Sequence, residues 1–344
     1  MLAAIAAVCV VAGVLHYADA DPVAVFVVAG LALAGLAWVV AVATETIGTR
    51  FGPAATGVLQ STLGNLPELF VVLFALSAGE VVVAKTSIVG SLLANALFVL
   101  GLTIVAGSRK APDGVMRFKA RLPNDTATLL LLAVFVIAIL GVSDRIGDRA
   151  SQHQVAISVV GAVCLLAVYG AWVWSYLRTP DREAAIETSA HQPVSFSVAI
   201  ALLALGGVGA ALVSDWFIDA LDPAVEAIGI SKAFTGLVIV GIAGNAVENV
   251  VGILLATKGQ SDLAISVVKN SVSQIAAFLY PVLVLLSLFF EHRLTFVLGP
   301  IYVIALVLMA IAVWQITGDG EAVMFEGLAL VTLYVVVATL AYYE

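Results

Sequence analysis

Long apolar runs, separated by short stretches that hold most of the charge, decide what this chain can become. Eleven of them lie near residues 2–17, 23–47, 54–77, 86–106, 126–142, 154–177, 194–214, 233–257, 263–289, 296–316 and 323–342. Most approach the ~20 residues that a helix needs to cross ~30 Å of hydrocarbon. A backbone in lipid must satisfy its own hydrogen bonds, which leaves helices or closed barrels, and continuous runs rather than short alternating segments select helices. With 62% hydrophobic and 11% charged residues, and a mean hydropathy of +1.13, the chain lies far from soluble usage. The expected fold class is an all-α integral membrane protein of about eleven transmembrane helices.

The first run ends in Ala18-Asp19-Ala20, similar to a signal-peptidase site. No Lys or Arg precedes it, so residues 1–20 are expected to stay as a helix. Arg109, Lys110, Arg117, Lys119 and Arg121 form the largest basic cluster, which places the loop after the fourth run in the cytoplasm. Eleven crossings then put the N-terminus inside, with nine Lys/Arg in inner loops, five in outer loops and Lys269 within a span. The cell membrane is the expected location. The net charge of −8 is scattered over loops, and nothing in its pattern points to nucleic acid. Cys9 and Cys164 sit in apolar runs without metal-ligand spacing and read as small buried hydrophobes. His16, His153, His191 and His292 fall at run ends or in loops, as interfacial residues do.

The chain repeats itself. Gly64-Asn65-Leu66-Pro67-Glu68 recurs 180 residues later as Gly244-Asn245-Ala246-Val247-Glu248, and the same offset pairs Gly79 with Gly259, Ser91 with Ser271, Ala96 with Ala276 and Phe98 with Phe278. Spans two to six and seven to eleven then form two five-helix units, 23–177 and 194–344, joined by a cytoplasmic linker at 178–193. An odd number of crossings turns the second unit upside down. Inverted repeats of this kind place substrate near the bilayer midplane, on interrupted helices.

The copied segments carry the chemistry. An ionised carboxylate at mid-bilayer costs at least ~2.5–3.5 kcal/mol, so Glu68 and Glu248 need compensation. Gly64 and Gly244 lower helix propensity, and Pro67 is expected to free the carbonyl of residue 63. Asn65 and Asn245 add side-chain oxygens. Carboxylate, carbonyl and amide oxygens together suit a hard cation such as Ca²⁺, which takes six to eight of them. In the next helix of each unit, Ser91 and Asn95, then Asn270, Ser271 and Gln274, are placed to line an access path or to bond helix to helix. Gln60 lies one turn before the first motif. Glu45, near a helix end, suits either the interface or the site. Lys269 is either an ammonium reaching cavity or interfacial water, or a counter-ion to Glu68, Glu248 or Glu45.

At these motifs the sequence resembles the cation/proton exchangers of the Ca²⁺/cation antiporter superfamily. Ala43-Thr44-Glu45, Gly57 to Asn65 and Gly90-Ser91-Leu92-Leu93-Ala94-Asn95 are similar to its first alpha repeat; Ser273 to Phe278 with Pro281 is similar to the second, and Phe325-Glu326-Gly327 to its last helix. The resemblance implies a first helix outside two five-helix repeats, ion binding at Glu68 and Glu248, and sliding of the first helix of each repeat. It also implies Ca²⁺ as substrate and H⁺ as coupling ion, with no organic cofactor and no enzymatic activity. Three departures stand out. Pro67 is typical of the Na⁺-coupled relatives, and the usual Glu-His of the second motif is Glu248-Asn249 here. The acidic helix often found between the halves is reduced to Asp181, Glu183 and Glu187. Na⁺/Ca²⁺ exchange, exchange of another divalent ion such as Mn²⁺, and a passive cation channel remain as alternatives. An intramembrane hydrolase lacks a Ser/His pair or a metal spacing. Oligomeric state is open.

Overall fold

The computed structural model describes residues 1–48, 63–119, 121–178 and 195–344; the side chains of residues 45, 121–123, 176–178 and 246–248 stand outside that description. Helices α1 (Leu2–Tyr17), α2 (Pro22–Gly48), α3 (Leu66–Ser77), α4 (Val81–Lys110), α5 (Arg121–Ile146) and α6 (Gln154–Arg178) make up the first half. The second half contains α7 (Phe196–Ile228), α8 (Lys232–Gly244), α9 (Ala246–Thr257), α10 (Ser261–Phe289), α11 (Pro300–Thr317) and α12 (Met324–Tyr342). Among the described residues, eight helices are long and apolar enough to cross a membrane by themselves, and the bent pair α8 and α9 makes up to nine. The expected linker at 178–193 and the start of the span at 54–77 fall on residues outside the description.

Burial sorts the helices into layers. In the most apolar window of α4, 89% of residues are buried, and in α10, 67%, against 22% for α6, α7 and α12. The repeat-bearing helices are therefore central. The outer helices turn Phe135, Leu205, Val208, Ile304 and Val335 outward, where lipid solvates them. Cys164 is exposed on α6, and Cys9 is half-buried. This corrects the expectation of two buried cysteines: an apolar run in a bilayer has two apolar neighbours, protein and lipid, and composition does not tell them apart.

Small residues set the closest crossings. α2 packs along α7 through Gly206 and Gly209, whose added Cβ atoms would lie 3.0 Å from Val40 and Leu36. α4 and α12 cross at Gly101 and Gly327, where a Cβ on either would come within 2.6 Å of the other's carbonyl oxygen. α7 outruns its expected end at residue 214 and carries Asp215, Asp219, Asp222 and Glu226 on the extension. These acids decorate a helix leaving the hydrocarbon rather than a loop. The helix stops at Gly229, with φ 75°, a left-handed conformation that suits glycine.

Contacts gather the connections at two ends. At one end β1 (Val115–Arg117) pairs antiparallel with β2 (Glu321–Val323), Arg117 Nε donates to Glu321 Oε1 at 3.2 Å, and the Lys119 amide donates to Asp262 Oδ1 at 2.6 Å. Arg117 also bonds Asp113 and, with the Val115 amide, holds that carboxyl below its ordinary range. At the other end Lys232 Nζ reaches Glu80 at 2.8 Å and Asp222 at 2.6 Å, Lys85 Nζ donates to the Val297 carbonyl, and Ser231 Oγ donates to the Ala341 carbonyl.

Candidate cation site

Both Gly-Asn motifs break a helix at the asparagine. Asn65 (φ −83°, ψ 9°) and Asn245 (φ −109°, ψ 20°) each precede a fresh helix of 12 residues, α3 and α9. Across the second break the axis turns by 56°. Pro67 then falls in the first turn of α3, where a missing N–H costs nothing. The asparagine conformation makes the break, and the proline starts the next helix.

Glu68 is the third residue of α3, wholly buried. The free N–H groups and partial positive charge of a helix start stabilise an anion there, which offsets part of the cost of burying it. Glu248 is the third residue of α9 by the same backbone count, and its side chain lies outside the description. The motifs meet: a Cβ added to Gly244 would sit 3.8 Å from the Glu68 Cβ.

α4 and α10 pass beside the breaks. Gly90 on α4 touches the backbone of α8, where an added Cβ would lie 2.5 Å from Leu237 Cα and clash with the Leu237 carbonyl oxygen. Each helix contains a π-helical turn, Ala94–Val99 in α4 and Ile275–Leu279 in α10, and the first shifted by 180 residues overlaps the second. Such turns are rare and frequent at functional sites. Asn95 Nδ2 donates to Ser271 Oγ at 3.3 Å, joining the helices beside their π turns. Ser91, Asn95, Ser271 and Gln274 are buried and Asn270 is half-buried.

The amides divide in one sense. Asn245 Nδ2 donates to the Gly241 carbonyl at 3.1 Å, and Asn249 Nδ2 to the Ile242 carbonyl at 3.2 Å. Those carbonyls belong to the last turn of α8, where the break removes helical donors. Since only the nitrogen of a side-chain amide can donate to a carbonyl, each amide oxygen is left over. Among the described residues, Asn245 Oδ1, Asn249 Oδ1, Asn95 Oδ1, Asn270 Oδ1, Gln274 Oε1 and Ser91 Oγ are buried without a hydrogen-bond partner. Unmatched buried oxygens are costly, and a cation would satisfy them. No group of three or more His, Cys, Asp or Glu converges among the described residues. Neutral oxygens around few carboxylates are what the chain supplies.

Lys269 is buried on α10, and its Nζ donates to Thr317 Oγ1 of α11 at 2.6 Å. Its carbonyl accepts from Ser273 Oγ, which also donates to the Thr126 carbonyl of α5. Gly64, buried, directly precedes the first break. Glu45 is on the last turns of α2 with its side chain undescribed, and Gln60 is outside the described residues. Asn249 was not among the residues singled out from the sequence for the site. A polar amide directly after the second glutamate, in an otherwise apolar helix, was the available signal.

The family model for sodium/calcium exchanger proteins matches residues 22–177 and again 198–343. The chain belongs to this family. A Ca²⁺/H⁺ antiporter of Bacillus subtilis is 30% identical over 96% of this chain and 94% of its own length. One from Aphanothece halophytica is 29% identical over 94% and 91%. Among solved structures, the Ca²⁺/H⁺ antiporter YfkE superposes with a TM-score of 0.83 at 27% identity, covering 99% of this chain and 98% of that one. The exchanger family, the helical membrane fold and the full-length match replace the resemblance by membership.

Proposed function

We propose that this exchanger carries Ca²⁺ against H⁺, with both competing for Glu68 and Glu248. The observation that carries the reading is the set of partnerless buried amide and hydroxyl oxygens on the helices around the two breaks, each break followed by a helix with a glutamate in its third place. The full-length relatives named as Ca²⁺/H⁺ antiporters support it. A carboxylate can hold a proton or contact the cation, not both, and this exclusion is sufficient for antiport. Two such groups give about two protons per Ca²⁺. Asn65, Asn245 and the carbonyls around Gly64 and Gly244 complete the shell, while Gln60, Ser91, Asn95, Asn270, Ser271 and Gln274 line its approaches.

The architecture follows from the repeat. Residues 23–177 and 194–344 act as inverted five-helix units after one extra helix, eleven in all. Three facts support this: the family model matches twice, the break and the π turn recur, and among the described residues the contacts cited at each end join connections that eleven crossings place on one side. The end with the β pair carries the basic cluster and faces the cytoplasm, with the N-terminus, in the cell membrane. α2 and α7, packed through glycines, are the pair that slides to alternate access.

Direct binding tests the competition. Ca²⁺ binding to purified protein should weaken as pH falls from about 8 to about 5, as protons occupy the glutamates. Binding indifferent to pH over that range refutes proton competition.

A further inference from the structure

We infer that Asn249 is itself a ligand of the transported cation, supplied only by the second half of the molecule. The inference rests on the cation site proposed above. In the first half the equivalent position, 180 residues earlier, is Leu69. Leucine offers no oxygen, so the two halves contribute unequally.

The case begins with the broken helix. The turn that ends α8 needs donors for the Gly241 and Ile242 carbonyls. Asn245 caps the first and Asn249, reaching back seven residues across the break, caps the second. Capping alone uses one amide proton and fixes which way the amide faces. Its oxygen is then set on the side away from α8, buried, and without a partner among the described residues. Asn249 is 8% exposed, and the helix at this point starts one residue after Asn245, so Asn249 rides the same first turn as Glu248. A residue needed only as a cap would do better with its second polar atom bonded, because an unmatched buried acceptor costs ~1–3 kcal/mol. Retaining it makes sense if a cation fills the gap during transport.

Cap and ligand separate by substitution, because aspartate keeps the oxygens and loses the donor, whereas leucine loses both. Ca²⁺ uptake driven by a pH gradient in proteoliposomes, and Ca²⁺-induced thermal stabilisation in detergent, should be measured for the parent, Asn249→Leu and Asn249→Asp. Asn249→Leu is expected to raise the KM for Ca²⁺ about tenfold or more, the low end of what losing a group that supports a metal costs. Asn249→Asp is expected to hold the KM at or below the parent's and to keep the Ca²⁺-induced stabilisation, although its Tm without Ca²⁺ falls. An aspartate variant as weak in Ca²⁺ as the leucine variant would make Asn249 a cap and nothing more. A leucine variant with the parent's KM would also overturn the inference. Should Asn249→Leu fail to fold, the aspartate variant decides by its Ca²⁺-induced shift alone. A parent that takes up no Ca²⁺ under a pH gradient instead brings down the functional reading on which this one rests.

Discussion

The two halves of this exchanger share a backbone plan and differ in the side chains hung on it. Both break at an asparagine and restart a 12-residue helix with a glutamate in its third place. Beside that shared break the halves diverge. Where the first half has Leu69, Val89 and Gly90, the second has Asn249, Lys269 and Asn270. Gly90 lets α4 lie against the backbone of α8, whereas Asn270 presents an oxygen with no partner among the described residues. At these matched positions the first half packs closely and the second presents polar side chains. Symmetry of the backbone does not require symmetry of the site.

The carboxylates are where the halves should behave alike. Glu68→Gln and Glu248→Gln are each expected to reduce proton-driven Ca²⁺ uptake to background while the protein stays folded by size-exclusion chromatography, since glutamine keeps volume and loses both charge and titration. Full activity in either variant would break the two-carboxylate account.

A smaller effect should divide the halves. Gly90→Ala pushes a Cβ into the Leu237 backbone of α8, and overpacking of this kind costs about 1–3 kcal/mol, which a fall in Tm would record. Asn270→Ala at the matching position should leave Tm near the parent's and raise the KM for Ca²⁺. The reverse pattern would mean that the packing and polar roles have been assigned to the wrong halves.

The smallest effect concerns Lys269, whose counterpart is Val89. Thr317→Val removes one acceptor of the buried Lys269 amino group, expected to cost about 1 kcal/mol of stability. If Lys269 serves to tie α10 to α11, the pH optimum of uptake stays where it is. A displaced optimum would couple the ammonium to the cation site.

Hydropathy and the repeat made much of this legible. The long runs of apolar residues give the helices, and the 180-residue offset marks both breaks and both glutamates before any coordinates exist. What stayed hidden has physical reasons. The extension of α7 beyond residue 214 carries four acids, and hydropathy measures solvation by lipid rather than helix continuity. The β pair at 115–117 and 321–323 joins segments 204 residues apart through backbone bonds that side-chain pattern does not encode. Where Pro67 falls within its helix depends on where the preceding helix ends, which an apolar run does not mark. Asn249 was visible, and its reach back to Ile242 was not, since the break alone brings those residues together.

The central claim is that protons, at Glu68 and Glu248, drive Ca²⁺ across the membrane. Purified protein in sealed proteoliposomes, loaded to impose either a pH gradient or a Na⁺ gradient of equal size, tests it by the initial rate of Ca²⁺ uptake. Uptake is expected under the pH gradient, abolished by a protonophore, and no faster under the Na⁺ gradient than with no gradient. Uptake driven by Na⁺ and indifferent to the pH gradient would contradict the account, and uptake that follows the Ca²⁺ gradient alone would make the protein a channel.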